Sequence, residues 1–426
     1  MRMNTCRTQA LGRRLSCAAI AASLVAGTAR GQAYRAVTPP NDSWDSSIFI
    51  KHISGGRGFG SRQPRNGQQS PIVWNIPDQV IPLPMPSNAR QASALRGMAD
   101  GSVFGAIWFE GARYYKPAIW RESEDGYELS IIDTTGYVGG VLIEFNSHGD
   151  AVGAVLVEEA DGNFSHRPAR WSEQAGWQEL DILDPTPEAW TSTANAINES
   201  GEIVGSAGFY NSEGQWLNYA CYWKQDGSIV LVPSEAPQSR GGFVDINEQG
   251  IAAGSTMMSD PSTGRVREAA IFWDVRNEAS VPSQILEYGV LATSITESGD
   301  AGLALEAEQF EWPVGVYLGG KVQQFVYFAP TVGGFSYVPT TYVYDDGKIL
   351  TYYEDEFLDA ESVVLIPVDC AADWDLSGGA PNSSDFLAFL NDLADGRPEA
   401  FLAAPESFGW SDHLLRFLNL YLECAP

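Results

Sequence analysis

The chain has 426 residues, carries 54 acidic side chains against 26 Lys and Arg, and has a formal net charge of −28. So acidic a polymer repels phosphate backbones and anionic membrane surfaces, which excludes nucleic acid as a partner. No stretch beyond the first thirty or so residues is apolar for long enough to cross a bilayer, so no transmembrane segment is expected.

Residues 1–33 read as a secretory signal peptide. Arg2, Arg7, Arg13 and Arg14 make a basic start, residues 15–27 a short apolar run, and Gly31-Gln32-Ala33 a small-residue cleavage site. Its removal takes away five arginines and no acid, which moves the net charge from −28 to −33. The mature chain is therefore expected to be secreted, extracellular or attached to the cell surface, with the periplasm as the alternative. Cys6 and Cys17 leave with the signal. Cys370 and Cys424 bracket the C-terminal segment and are natural disulfide partners in an oxidising compartment, leaving Cys221 as a buried thiol inside a strand.

Residues 34–47 are polar and proline-bearing and read as a lead-in. From 48 to 366 the chain repeats. The clearest copy is Ala194-Asn195-Ala196-Ile197-Asn198-Glu199-Ser200-Gly201-Glu202-Ile203-Val204-Gly205, an apolar strand, a tight turn and a second strand carrying a glycine. Relatives surround Gly149, Gly250 and Gly299, and weaker ones surround Gly56, Gly101 and Gly347. The steps between these glycines are 45, 48, 52, 49, 49 and 48 residues. A period near fifty, in units too small to bury their own faces, predicts stacked sheets. In the copy from 193 to 232, strands are expected at 193–198, 202–209, 218–224 and 228–232, joined by glycine-bearing turns. The expected fold is all-β, a β-propeller of about seven four-stranded blades. Six blades, with the first segment only completing the last sheet, is the alternative.

An aromatic residue near the end of the third strand keeps the same period: Trp74, Trp120, Trp171, Trp223 and Trp273, with Tyr317 in a degenerate sixth copy. These rings are expected to fill the space between neighbouring sheets. Gly105, Gly153, Gly205 and Gly254 stand mid-strand, where glycine signals close backbone approach or a bulge. Asn146, Asn198 and Asn247 are expected to cap their turns. These units resemble the HAF repeat of bacterial extracellular proteins, an Ala-x-x-Ile-Asn-x-x-Gly-x-Val-Val-Gly unit ahead of an Ala-x-x-Trp-like strand. The likeness covers roughly residues 48–366 and is strongest from 141 to 275; Pro-Ala or Ala-x-x-Trp stands where the family name implies His-Ala-Phe. The resemblance implies a secreted repeat protein with a propeller fold, and brings no catalytic residues with it.

Beyond Pro367 the pattern becomes helical. Asp373-Trp374-Asp375-Leu376-Ser377-Gly378 precedes an amphipathic run through Phe386, Leu387, Phe389 and Leu390, and a second helix is expected at 412–422. Alternating oxygens followed by a glycine open a calcium loop: Asp373, Asp375 and Ser377 would begin the shell and Asp385 would close it. That last acid falls one residue later than the usual loop places it. Segment 367–426 is similar to a GC-type dockerin-like, EF-hand-like domain, through Asp385-Phe386-Leu387-Ala388-Phe389-Leu390-Asn391 and the terminal Cys424-Ala425-Pro426. The second half, around Pro405 to Ser411, lacks the alternating acids. The resemblance implies one Ca2+ ion and a protein or cell-surface docking partner.

Catalytic signatures are missing. His52, His148, His166 and His413 form no His-Glu-x-x-His pair, and neither a Gly-x-Ser-x-Gly elbow nor a phosphate-binding loop occurs. The dense acids Glu354, Asp355, Glu356, Asp359 and Glu361 read as a solvated loop. The expected function is a non-catalytic extracellular scaffold whose propeller binds a protein or glycan while its tail docks. The alternative is a secreted glycan-active enzyme using carboxylates in the propeller channel.

Overall fold

In the computed structural model of the chain, seven four-stranded antiparallel sheets follow one another as the blades of a propeller. The described residues run from 33 to 368, with breaks at 38, 41–45, 65–66, 99, 160–161, 183–191, 211–214, 233–240, 260–263, 265, 278–282, 285–289, 306–313, 319–320, 326–340 and 355–359, and resume at 383–394. Blades 1 to 6 span residues 46–82, 89–131, 139–179, 193–231, 242–284 and 290–325, each with its four strands in sequence order. Their first strands lie innermost; those of blades 1 and 2 touch, as do those of blades 3 to 7 in succession, while blade 3 meets blade 2 through the second and third strands of blade 2.

Blade 7 is assembled from both ends of this region. Thr341–Val343 is innermost, Ile349–Glu354 and Ala360–Val368 follow, and Ala33–Val37 pairs antiparallel with Ala360–Val368 as the outermost strand. The stretch expected as a polar lead-in therefore contributes a strand. The six-blade alternative is corrected as well: the N-terminal strand does complete the last sheet, but it does so in addition to a full blade 1. Each closing pair joins residues more than three hundred positions apart, so no local pattern marks the strand.

In blade 4 the strands are Thr193–Ile197, Ile203–Tyr210, Trp216–Trp223 and Ile229–Leu231, within two residues of the expected bounds. The seven marker glycines all have left-handed φ, from 77° at Gly56 to 86° at Gly101, which is why no other residue serves in these turns.

The core is divided among the blade interfaces. Trp223 packs with Ala194, Ile203 and Cys221 of its own blade and Val152 of blade 3. Trp120 meets Phe59, Val73 and Leu83 of blade 1. Trp74 lies in the closing interface, with Leu350 and Val364 of blade 7. Trp74, Trp120, Trp223 and Trp273 are fully buried. Their ring nitrogens stay paired: Trp74 donates to Pro77 O, Trp120 to Pro84 O and Trp223 to Asp181 O. Cys221 is the buried thiol expected, its ionisation pushed upward by burial.

A single α-helix, α1 (Ser383–Ala394), is described in the C-terminal segment. Asp385 lies in its first turn. Cys370, Asp373, Asp375, Ser377, His413, Cys424 and the helix expected at 412–422 lie outside the described residues, as do Asp355, Glu356 and Asp359. Among the described residues no helix is long and apolar enough to cross a membrane.

Candidate functional site at the propeller axis

The innermost strand of a blade has one unpaired edge, and its free N–H and C=O groups need partners. Side chains of adjacent blades supply them. Asn195 donates to Phe243 O at 2.7 Å, and Ser294 accepts from Val343 N at 2.9 Å. Asp245 accepts from Ile295 N at 2.9 Å, Ser362 from Ile50 N at 2.7 Å and Tyr344 from Ile53 N at 3.1 Å.

In blades 1 to 6 this strand carries a β-bulge one residue before a fixed register position. The inserted residues are Lys51, Leu95, Ile143, Asn195, Val244 and Thr293. All are at least partly exposed on a strand whose open side is the central channel, so its wall mixes apolar Leu95, Ile143 and Val244 with polar Lys51, Asn195 and Thr293.

The residue after each bulge forms a second ring: His52, Arg96, Glu144, Ala196, Asp245 and Ser294, with Tyr342 equivalent in blade 7. Arg96 pairs with Glu144. Its positive charge also acts on His52 of blade 1, Asp245 of blade 5 and Tyr344 of blade 7. Asp245 likewise acts on Glu144 of blade 3 and Tyr344 of blade 7, so Arg96, Glu144 and Asp245 share the space near the axis.

Burial, reinforced by the Arg96 charge, holds His52 neutral, its pKa well below the usual histidine range. Its Nδ1 has no hydrogen-bond partner, while its ring sits edge-on to Tyr344 at 5.4 Å. Burial raises the Asp245 carboxyl, against the pull of Arg96 and the two backbone N–H groups, of Ile246 and Ile295, that it accepts.

Burial pushes Glu144 from 4.5 up to about 8, with Arg96 opposing and Asp245 adding to the rise. A carboxyl whose pKa is higher in the folded than in the unfolded state stabilises the fold at acid pH. That contribution is lost as the pH rises through about 8. Glu144→Gln, which keeps the shape and cannot ionise, is expected to flatten the fall in unfolding midpoint between about pH 5 and 9. An unchanged pH profile in calorimetric melts would contradict this origin of the slope.

At the hairpin end of the axis the turns are chained together. Asn146, Asn198 and Asn247 cap their own turns, as expected, through Oδ1, which accepts from His148 and Asp150, from Glu202, and from Gln249 and Ile251. Their Nδ2 groups do something the sequence did not reveal: they donate to the next blade, to Asn198 O, Asn247 O and Thr296 O at 3.3, 3.0 and 3.1 Å. The following residue repeats the step. Backbone N–H groups of Ser147, Glu199, Glu248 and Glu297 are held by Glu199, Glu248, Glu297 and Asp345 of the next blade.

His148 and His166 are exposed, as expected. The ring of post-bulge residues was missed. Its signal is a fixed offset, five residues ahead of the turn glycine, occupied in blades 2 to 7 by Arg96, Glu144, Ala196, Asp245, Ser294 and Tyr342. Among the described residues no three His, Cys, Asp or Glu gather as metal ligands.

No protein-family model matches the chain, and no curated protein does. Among solved structures, it is similar to a prolyl endopeptidase at 12% identity and a TM-score of 0.48, over 87% of this chain and 55% of the endopeptidase. It is similar to the polysaccharide lyase Uly1 at 11% identity and a TM-score of 0.44, covering 82% of this chain and 95% of the lyase. A third similarity is to the Hadza microbial sialidase Hz136, at 11% identity and a TM-score of 0.38, over 74% of each chain. The chain spans little more than half the length of the endopeptidase.

Proposed function

We propose that the chain is a secreted, non-catalytic binding scaffold, its propeller presenting a rigid surface while segment 367–426 docks it to a protein or cell-surface partner. One observation carries this reading: the carboxylates around the axis are engaged within the protein. Glu144 faces Arg96, Asp245 holds two backbone N–H groups, and Glu199, Glu248, Glu297 and Asp345 each hold the preceding turn. A glycosidase-type pair needs one carboxyl free to protonate the leaving group and another facing the sugar or a water. The channel-wall residues Lys51, Leu95, Ile143, Asn195, Val244 and Thr293 carry no carboxyl at all.

In this reading the tail is a dockerin-like module in which Asp373, Asp375, Ser377 and Asp385 hold Ca2+ and Cys370–Cys424 staples the fold. The start of α1 at Ser383 supports it, since a calcium loop closes on the first turn of a helix.

The test is twofold. The full chain, incubated with polysaccharide and peptide substrates, is expected to release no product above background. Turnover that disappears in Glu144→Gln or Asp245→Asn would establish the enzyme reading instead. Calorimetric titration of the oxidised full chain with Ca2+ is expected to saturate, and Asp373→Ala to abolish the heat. Absence of heat in the parent chain would remove the calcium-folded tail.

A further inference from the structure

Blade 2 carries two exposed arginines whose described interactions are with aromatic rings. The Arg90 guanidinium lies 5.1 Å from the ring centre of Trp108, and that of Arg113 lies 5.2 Å from Phe164 of blade 3. Among the described residues neither meets a carboxylate, in a chain with 54 acids to 26 bases. Two ring pairs accompany them, connected through the consecutive residues Tyr114 and Tyr115. Trp108 and Tyr115 face each other across the hairpin at 5.6 Å, and Tyr114 meets Phe164 at 5.6 Å.

The rings are held in place as well as accessible. Trp108 donates its ring N–H to Ala112 O at 2.7 Å, and the Tyr115 hydroxyl bonds Gln91 at 2.9 Å while the residue stays 40% exposed. Gly139 of blade 3 leaves the space that Tyr114 fills. Fixed rings lose little freedom on binding.

We propose that this patch is a binding site for a carboxylated polysaccharide, its sugar rings lying on the Trp108, Tyr115, Tyr114 and Phe164 side chains and its carboxylates paired with Arg90 and Arg113. The electron-rich faces of the rings receive the weakly positive C–H faces of a sugar. A guanidinium stacked on a ring keeps its N–H edge outward, in the fork geometry that matches a carboxylate. The strand Val103–Phe109 is paired on both sides, and Tyr115–Ser123 lacks an outer ladder partner only ahead of Ala118, an edge too short, and ended by Pro117, for an extended peptide to join. Lys116 adds a third cation, with Asp133 nearby, and two exposed acids flank the rings, Glu110 on the turn and Glu158 opposite Phe164. Repulsion from the rest of the acidic surface is screened over about 8 Å at physiological salt.

The proposal deepens the scaffold reading and rests on it only in that the glycan is held and not cut. The experiment is calorimetric titration of the full chain with oligogalacturonate, with a neutral galactose oligomer and with poly-glutamate, at physiological salt. Saturable binding of the uronate is expected, with the neutral oligomer weaker by about tenfold or more, the value of one lost charge-assisted pair. Arg90→Lys with Arg113→Lys, which keeps the charge and removes the fork, and Tyr115→Ala are each expected to cost a similar factor at an unchanged unfolding midpoint. No saturable uronate binding, or unchanged affinity in the double lysine variant, overturns the site. Poly-glutamate binding as tightly as the uronate would make the patch a protein-binding one and overturn the site equally. Recovering the oligomer at its original length separates a failure of the scaffold reading from a failure of the site.

Discussion

Gly205→Ala is expected to lower stability by about 3 kcal/mol or more, a larger effect than a single methyl group usually produces. A Cβ at this position would lie 2.1 Å from Thr193 O, on the inner strand of the same blade, and 3.0 Å from the Trp223 ring. The first neighbour is backbone, pinned by the bulge at Asn195, and cannot rotate away. The same collision recurs at Gly60, Gly105, Gly153 and Gly254, against Phe49 O, Ser93 O, Val141 O and Gly242 O. These glycines are therefore the counterpart of the bulge: the inner strand bends back across the second strand, and only a residue without a side chain fits beneath it. A thermal melt of the variant within about 0.5 kcal/mol of the parent would show that the carbonyl can move and that the bulge is soft.

Trp223→Ala is expected to cost about 3–5 kcal/mol. The ring is fully buried between blades 3 and 4, and its N–H reaches Asp181 O at 2.8 Å. Truncation opens a cavity lined by Val152, Ala194 and Ile203, side chains fixed on strands that cannot collapse inward without breaking register. Trp223→Phe should recover most of the loss and leave about 1 kcal/mol, the share of the unpaired Asp181 carbonyl. Because Gly205 lies against the ring, the two substitutions share one interface, and the double variant should be less destabilised than the sum of the singles. Additive losses in calorimetric melts would disconnect the two repeat markers.

The glycine and tryptophan markers were legible because each serves the same purpose in every blade. A turn needs left-handed φ at Gly201 as at Gly250, and an interface needs a large ring at Trp120 as at Trp223. The axis was not legible for the opposite reason. Position 96 faces the centre of the ring, position 144 pairs with it and position 245 holds a neighbouring backbone, so the residue type changes with each blade. The bulges hide them further, because one inserted residue breaks the alternation that tells inward from outward side chains. Asn198 was read correctly as a turn cap, yet its bond to Asn247 O joins different repeats and has no trace in either one. Ala33–Val37 escaped notice because the strand it pairs with, Ala360–Val368, is so distant in sequence.

In the function proposed above, the polar groups around the axis serve to join blades, and Asp245 tests this most directly. Its carboxylate holds Ile246 N–H in blade 5 and Ile295 N–H in blade 6. Asp245→Ala leaves both donors without that acceptor, and the unfolding midpoint is predicted to fall by the equivalent of about 1–3 kcal/mol. A carboxylate kept for catalysis is held at a cost to stability, and its removal commonly strengthens a fold. A higher midpoint in Asp245→Ala would contradict the account.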